Sequence, residues 1–321
     1  MAFRLDKLQQ LWRLVRESHA TPLVGEPQKP MVAASGATAI TFIGHSSFLL
    51  QMADVALLID PVFATRLILL RRQRRPGVRL RDLPDIDVVL LSHAHMDHLN
   101  FPSLRAVIRE MRRRGRPAPI AVVPTNVEDL VLKLGFAKVI SLAWWQSTQI
   151  AGLTITATPA KHWGARMFKD RHRGFGGYVI EAEDASSVYH AGDTAYFHGF
   201  EEIGRRLRPE IALLPIGAYS PDSYRSVHTS PEEALRAFLD LRATTMIPMH
   251  FNTFQLGREP MDEPLPRLLA VAERAGVREK VLPLAEGESF LATAFPVRMS
   301  PVRIPQTISS GFRLSVEDAR T

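Results

Sequence analysis

Three histidines and one aspartate lie within six consecutive positions of this 321-residue chain. They are His93, His95, Asp97 and His98, and they come after the apolar run 88–91, which is typical of a buried strand. Side chains alternate along a segment that leaves a strand, so His93, His95 and Asp97 can project to one side, whereas His98 breaks the alternation. Imidazole and carboxylate groups are ligands that suit zinc. The spacing predicts a metal site in which one cation can take His93 and His95 and a second can take Asp97 and His98.

Candidate partners for this cluster follow predicted strands later in the chain. His162 comes after the strand 153–158, Asp193 follows Gly192 after a strand at 187–190, and His250 ends a strand at 244–249. Singly, each has an ordinary explanation, such as a hydrogen-bonded histidine or a Gly-Asp turn. In this order after the cluster, they predict further metal ligands, with Asp193 able to bridge two cations.

The elements that must position these residues are strands with interleaved helices. Apolar patterns predict strands at 39–52, 55–59, 86–91, 120–123, 139–142, 153–158, 176–181, 187–190, 211–216, 244–249 and 281–284, and helices at 102–115, 127–134, 231–241 and 264–275. This order indicates two sheets packed together with helices outside them.

The start of the chain is predicted to be an amphipathic helix over residues 1–17. Its apolar positions at helical spacing are Leu5, Leu8, Trp12 and Val15. Such a helix could pack on the protein body, on a partner subunit in a homo-oligomer, or on a membrane surface. The predicted boundaries are 1–36 for this helix and a connecting segment, 37–295 for the main domain, and 296–321 for a loosely attached extension.

The composition narrows the chemistry. The chain has no cysteine, which excludes disulfides, thiolate catalysis and thiolate metal sites. Hydrophobic residues make up 46% of the chain, which suffices for a large core. No apolar stretch approaches the roughly 20 residues that span a bilayer, and the start lacks the apolar region of a secretory signal. We therefore expect a cytoplasmic protein, with peripheral membrane contact left open.

The formal charge of +7 is partly concentrated in two arginine-rich segments, 71–81 and 109–116. Either segment could attract an anionic small molecule, a phospholipid surface or nucleic acid, or could simply be a solvated face. No basic stripe with interleaved aromatic residues and no helix-turn-helix pattern stands out. Sequence-specific nucleic-acid binding is therefore not expected.

The order of the candidate ligands resembles the metallo-beta-lactamase superfamily, whose pattern is a His-x-His-x-Asp-His cluster followed by a further His, an Asp and a final His. The resemblance covers residues 39–290 and implies a four-layer αββα sandwich of the α+β or α/β class. Within the superfamily, the chain resembles the branch that contains N-acylphosphatidylethanolamine phospholipase D and its bacterial homologues, and is also similar to ascorbate-phosphate lactonases. The motifs that carry this narrower resemblance are Gly44-His45, Ile59-Asp60-Pro61-Val62-Phe63, Trp144-Trp145, His162-Trp163, Ala191-Gly192-Asp193-Thr194, Pro215-Ile216-Gly217-Ala218-Tyr219, His228-Thr229-Ser230-Pro231-Glu232-Glu233-Ala234 and His250-Phe251-Asn252-Thr253-Phe254.

The resemblance implies seven metal ligands in two sets. One cation would be bound by His93, His95 and His162, the other by Asp97, His98 and His250, and Asp193 would bridge them. Three positions depart from the family pattern: Met96 stands where an aromatic residue is usual, Asn100 where an aspartate is common, and Asn252 where a glycine is usual. None is a predicted ligand, so metal binding should survive, while the support of the ligands and the substrate shape are put in doubt.

Other polar residues are candidates for supporting roles. Asp60 could accept a hydrogen bond from a ligating histidine, or could be an ordinary strand-end residue. His45 is a candidate for the same supporting layer or for the core. His228 could contact substrate or donate a proton, or could be a solvated loop residue, and Tyr219 in the same loop is a candidate substrate contact. Ser230 is explained as a helix cap, so it is not a candidate nucleophile.

A hydrolase with two divalent cations follows from the resemblance. Two cations would lower the pKa of a bridging water from near 15.7 toward about 7 and supply a hydroxide nucleophile. Zinc is favoured, and manganese and iron accept the same donors. The expected reaction is phosphodiester cleavage, with an N-acylated phospholipid as a candidate substrate. The alternatives are a lactonase, esterase or lactamase on a soluble substrate, and a metal-loaded protein that binds membrane or nucleic acid without catalysis.

Overall fold

The computed structural model describes residues 12–34, 36–167 and 170–293. The strands are β1 (Ala37–Gly44), β2 (Ser47–Met52), β3 (Val55–Ile59), β4 (Arg66–Leu67), β5 (Leu70–Arg71), β6 (Val88–Leu90), β7 (Ile120–Pro124), β8 (Lys138–Leu142), β9 (Ser147–Ile150), β10 (Leu153–Thr158), β11 (Gly177–Ala182), β12 (Ala185–His190), β13 (Ile211–Pro215), β14 (Thr245–Met249) and β15 (Ser289–Thr293). The helices are α1 (12–20), α2 (Phe101–Arg113), α3 (Glu128–Val131), α4 (Gly199–Leu207), α5 (Pro231–Leu241) and α6 (Pro264–Arg274).

These strands form two large sheets and one short hairpin. The first sheet has seven strands in the order β15-β1-β2-β3-β6-β7-β8, and the second has six in the order β14-β13-β12-β11-β10-β9. Strands β3, β6, β7 and β8 run parallel to one another, as do β12, β13 and β14. Because the carboxyl ends of parallel strands lie at the same edge of a sheet, residues that follow these strands meet at one edge of each sheet.

The two faces of the first sheet pack against different layers. On β1, Phe42 belongs to a buried cluster that also contains Tyr178 of the second sheet and Phe238 of α5. Its neighbour Ile43 points to the other face and joins a second cluster with Leu104 of α2. The order of layers is therefore helix, sheet, sheet, helix. The predicted four-layer αββα sandwich is confirmed.

Some predicted elements differ from the observed ones. The strand expected at 39–52 is divided by a turn into β1 and β2, and the helix expected at 127–134 shortens to α3. The strand predicted at 281–284 is wrong, because Val281 makes only an isolated bridge to Met246. The last described strand is instead β15, which pairs with β1.

Helix α1 is attached to the hairpin formed by β4 and β5. The hydroxyl of Ser18 accepts a hydrogen bond from the Arg71 backbone N–H at 3.1 Å, and the Arg71 guanidinium donates to the His19 carbonyl at 3.4 Å. The remainder of the predicted amphipathic helix and the predicted extension from 296 lie outside the described residues. Across the described ranges, no helix has both the length and the hydropathy needed to cross a membrane.

Arginines in the two arginine-rich segments make many contacts within the protein. Arg72 is fully buried, and its guanidinium donates to the carbonyl of Val62 at 2.7 Å. In the second segment, Arg113 and Arg114 both pair with Glu110. These contacts give part of each segment a structural role. Attraction of an anionic partner stays a prediction.

Candidate metal centre

The seven predicted ligands come together at the edge where strands from both sheets end. The segment after β6 carries His93, His95, Asp97 and His98, and the second sheet contributes the residues that follow β10, β12 and β14. Those residues are His162, Asp193 and His250. The centre is therefore assembled by both sheets, which hold its side chains at rigid strand ends.

Gly192 shapes the turn that presents Asp193. Its φ of +63° lies in the left-handed region, which costs glycine little. A Cβ atom at this position would meet the carbonyl oxygen of Gly176 at 2.7 Å and the Cβ of Ser92 at 2.9 Å. Both the backbone conformation and the close approach to the histidine-bearing segment therefore require glycine here.

One group of possible metal-binding atoms consists of His93, His95, His162 and Asp193. The Nδ1 atom of His95 lies 2.8 Å from Nε2 of His93 and 3.3 Å from Nε2 of His162. Each of these two Nε2 atoms is 3.9 Å from Oδ2 of Asp193. Ligand atoms about 3.3 Å apart are what tetrahedral zinc with Zn–N bonds of about 2.0–2.1 Å requires.

Hydrogen bonds to the protein fix which nitrogen each imidazole turns inward. The Nδ1 atom of His162 donates to the carbonyl of Val227 at 2.8 Å, so its Nε2 carries the free lone pair. The Nδ1 atom of His93 lies 2.9 Å from the hydroxyl of Ser92, which leaves its Nε2 facing the group. The nitrogen lone pairs of His93, His95 and His162 face one another at 2.8–3.3 Å, and they repel unless a cation or a proton lies between them.

The second group consists of Asp97, His98 and His250, with His45 beside them. Oδ2 of Asp97 is 3.6 Å from Nε2 of His98 and 3.6 Å from Nε2 of His250. Asp193 reaches this group as well, because its Oδ1 is 3.3 Å from His98 Nε2 and its Oδ2 is 3.1 Å from His250 Nε2. The Asp193 carboxylate thus lies between the two groups.

The two groups differ in their proton affinity. Burial lowers the pKa of His93, His95 and His162, which favours neutral imidazoles. In the second group burial also disfavours the charged form, but the carboxylate of Asp193 outweighs it. The pKa of His250 is raised to about 9, and that of His98 is raised well above its usual value. In the metal-free protein, protons on His98 and His250 therefore balance the negative charge of the carboxylates, which a bound cation would otherwise balance.

Asp60 and His45 each contact a predicted ligand. Oδ2 of Asp60 accepts from Nδ1 of His98 at 2.7 Å, and both side chains are completely buried. Asp60 also accepts from the backbone N–H and the hydroxyl of Ser92. Nε2 of His45 lies 3.0 Å from Oδ2 of Asp97. These contacts set the orientation of His98 and Asp97.

His228 and Tyr219 are placed differently. Nδ1 of His228 is 3.9 Å from Oδ2 of Asp193, and its ring lies 5.4 Å from that of His250. Burial lowers the pKa of His228 to about 4. The hydroxyl of Tyr219, by contrast, donates to Glu263 at 2.7 Å, outside the ligand cluster. The structure brings His228 into the centre and gives the Tyr219 hydroxyl a different partner.

The structure explains two of the three departures from the family pattern, Asn100 and Asn252, and locates the third, Met96. Asn100 caps α2, where its side-chain oxygen accepts from the Ser103 N–H, a role that an aspartate fills equally well. Asn252 has a φ of +58°, a conformation that asparagine tolerates better than most residues. Met96 is half-buried between two predicted ligands. Met96 therefore lies beside the predicted ligands His95 and Asp97.

The centre contains buried polar atoms that have no hydrogen-bond partner among the described residues. They are Nδ1 of His45, Nε2 of His98, Oδ1 of Asp193, Nδ1 of His228 and both ring nitrogens of His250. An unpaired buried polar atom costs about 1–3 kcal/mol, and His98 and His250 belong to one group of possible metal-binding residues, so a cation there would satisfy a nitrogen of each. Nitrogen and oxygen donors without sulfur suit zinc, manganese or iron. The residues present therefore fit divalent cations.

Three contacts of the centre were not found by sequence reasoning. Ser92 links Asp60 to His93, and the only sequence signal is a hydroxyl next to the first histidine. Arg166 donates to the carbonyls of Ala94 and Leu99, which no spacing in the sequence indicates. Trp163 stacks on His162 with 4.4 Å between ring centroids.

Comparison with known proteins identifies the family. Residues 56–251 match the family described as the beta-lactamase superfamily domain. A "UPF0173 metal-dependent hydrolase" of Rubrobacter xylanophilus is 31% identical over 68% of this chain and 84% of its own length. The chain belongs to the beta-lactamase superfamily, among its metal-dependent hydrolases.

Two further comparisons agree with this assignment. "N-acyl-phosphatidylethanolamine-hydrolyzing phospholipase D 1" of Caenorhabditis elegans is 31% identical over 70% of this chain and 67% of its own length. The solved structure of a metallo hydrolase from the archaeon Ignicoccus hospitalis is 29% identical and superimposes with a TM-score of 0.61, covering 80% of this chain and 98% of that chain. The chain is thus similar to metal-dependent enzymes in both sequence and fold.

Proposed function

We propose that this chain is a phosphodiesterase that holds two divalent cations. The observation that carries the proposal is the position of Asp193, whose carboxylate lies within 3.9 Å of His162 Nε2 and within 3.1 Å of His250 Nε2. These two histidines belong to different groups of ligand atoms. A carboxylate between two such groups suits a pair of cations that act on one substrate.

The ligand roles follow from the two groups. His93, His95 and His162 would hold one cation, Asp97, His98 and His250 the other, and Asp193 both. Zinc is the cation that this donor set favours, with manganese and iron as alternatives. When bound, the pair of cations would lower the pKa of a water molecule and stabilise negative charge on the substrate.

The chain's own residues would orient the reactants. Asp97 and Asp193 are the two carboxylates directed into the centre, and they would hold the attacking water by accepting its hydrogen bonds. The Nδ1 atom of His228 is buried without a hydrogen-bond partner and lies 3.9 Å from Asp193 Oδ2. Because burial lowers the pKa of His228 to about 4, the neutral ring would form a hydrogen bond with a substrate oxygen. Tyr219 is a weaker candidate for substrate contact because Glu263 accepts its hydroxyl proton.

A phospholipid is the substrate class that the relatives and the surface support best. The Caenorhabditis elegans relative is named for hydrolysis of N-acyl-phosphatidylethanolamine. On this chain, Trp12 of α1 is 60% exposed, and Ile68 and Leu69 between β4 and β5 are 73% and 47% exposed. Exposed apolar side chains beside Arg13 and Arg66 suit an anionic lipid surface. We therefore propose peripheral membrane contact by a cytoplasmic protein.

A substrate panel tests the reaction class. Zinc-loaded protein is incubated with N-acylphosphatidylethanolamine in mixed micelles and, separately, with lactones, carboxylic esters and lactams. The expected result is phosphodiester cleavage that exceeds turnover of the other classes. Lactone, ester or lactam turnover without phosphodiester cleavage would contradict the proposal and favour the soluble-substrate alternative.

A matched pair of variants tests whether the chain is an enzyme at all. Asp193→Asn should lower hydrolysis at least about 100-fold, since even the loss of an outer partner of a metal ligand costs about 10–100-fold. Asp184→Asn is the control, because this exposed residue lies before β12 while Asp193 follows it. A non-catalytic binding protein would keep its partner affinity in both variants.

A further inference from the structure

The metal centre is open to solvent on one side. The side chain of Asp97 keeps 14% of its surface exposed and that of His228 keeps 11%, and His95 is half-buried. The side chains of His162 and Asp193 are at most 2% exposed. Solvent therefore reaches the centre between His95, Asp97 and His228, and this is the opening of the site.

Trp163 stands at the edge of this opening. Its ring stacks on His162 at 4.4 Å with an interplanar angle of 30°, and it meets His95 at 4.9 Å. Its centroid is 6.2 Å from that of His228. The residue is nevertheless 44% exposed. One face of the indole thus covers predicted metal ligands, while much of the rest is left uncovered beside the opening.

We propose that the exposed surface of Trp163 binds an apolar group of the substrate next to the bond that is cleaved. The inference rests on the proposed hydrolytic function and adds a determinant of substrate choice. An indole offers a large, rigid apolar surface, and burial of that surface favours binding. The predicted metal site would bind the charged part of the substrate. Trp163 would then select for the apolar group that is attached to this charged part.

A purely structural role for Trp163 makes a different prediction. If the indole only covered His162 and His95, its loss would weaken cation binding and affect all substrates equally. If it binds substrate, its loss must affect apolar ligands more than small ones. Equilibrium binding of two ligands with the same anionic head separates these roles without relying on turnover.

The experiment compares phenylphosphonate with methylphosphonate by titration calorimetry on zinc-loaded protein. We expect the wild-type chain to bind phenylphosphonate about 2- to 10-fold more tightly, the range that an aromatic pair provides. Trp163→Ala should lose this preference, and Trp163→Phe should retain part of it. Trp144→Ala is the matched control, because Trp144 is 45% exposed but packs against Phe175.

Zinc affinity and circular dichroism are measured for each variant, so a loss of cation or of fold is detected separately. Trp163→Phe keeps the test decisive if Trp163→Ala does not fold. Equal affinity of the wild type for the two phosphonates, or a preference that survives in Trp163→Ala, would overturn the assignment. A phenyl preference without phosphodiester cleavage would contradict the proposed function but not the binding role of Trp163. Phosphodiester cleavage without the phenyl preference would contradict the binding role of Trp163 but not the proposed function.

Discussion

Three residues of the candidate metal centre adopt the left-handed backbone conformation, which is uncommon for residues other than glycine. The φ angles of His45, Asp60 and His250 are 61°, 43° and 60°. Each such residue costs on the order of 1–3 kcal/mol, which the surrounding fold must supply. All three lie at strand ends that face the centre. Positive φ also occurs at described residues in other turns, such as Ala53 and Arg208, and at these three positions it coincides with side chains that the proposed chemistry requires to be fixed.

Asp60 should be needed for tight metal binding, although it is not a predicted ligand. Asp60→Asn removes the negative charge that holds Nδ1–H of His98 at 2.7 Å, and we expect zinc affinity to fall about 10- to 100-fold. Competition with a chromophoric chelator measures the change. Asp54→Asn, in the exposed turn between β2 and β3, should bind zinc like the wild type. Unchanged affinity in Asp60→Asn would refute the role of this hydrogen bond.

Zinc binding should release protons at pH 7. The pKa of His250 in the metal-free protein is about 9, so this residue must lose a proton before it binds a cation. Affinity should rise with pH up to about 9, by about tenfold per pH unit for each proton released. In the metal-free protein, the same shift stabilises the fold below pH 6.5 and is lost as the pH rises through about 9. Calorimetry in buffers of different ionisation enthalpy counts the protons, and a count of zero would contradict the charge state.

At the scale of elements, local signals predict some features and distant contacts determine others. Helix α5 was predicted at 231–241 and is observed there, because Ser230 and Glu233 cap its start reciprocally. The pairing of β15 with β1 joins opposite ends of the described chain, so no local pattern indicates it. The clustering of the candidate ligand histidines could be predicted because they follow apolar strands. Arg166 could not, because its partners are backbone carbonyls far away in sequence.

Arg166 ties the segment that carries His162 to the segment that carries the histidine cluster. Its guanidinium donates to the carbonyls of Ala94 at 2.8 Å and Leu99 at 2.7 Å, on either side of the cluster's central residues. It also lies 4.2 Å from the ring centroid of Phe101. One side chain thus spans two segments that provide predicted ligands.

Removal of this link should speed the loss of the cation. In Arg166→Met we expect zinc to dissociate into excess chelator at least about tenfold faster, because the ligand-bearing loop is less well held, and Arg166→Lys should recover part of the effect. Arg105→Met is the control, since Arg105 contacts the same Phe101 ring at 5.7 Å. Equal dissociation rates in Arg166→Met and the wild type would show that the loop is held by other contacts.

At the scale of the whole molecule, the proposed membrane contact involves the exposed apolar residues of α1 and of the β4–β5 hairpin. We expect Ile68→Ser with Leu69→Ser to weaken binding to vesicles of phosphatidylglycerol and phosphatidylcholine at least about tenfold, because a buried leucine or isoleucine contributes about 1.5–3 kcal/mol. Leu132→Ser is the control, since Leu132 is 61% exposed near α3. Sedimentation with vesicles measures binding, and equal binding of the two variants would rule out this surface.

We propose that two cations held by the two ligand groups act together in phosphodiester cleavage. The most direct test is the rate of phosphodiester cleavage by metal-free protein as zinc is added in measured equivalents. Activity should rise with the second equivalent bound and level off at two per chain. Full activity with one equivalent, or no cleavage with two equivalents bound, would contradict it.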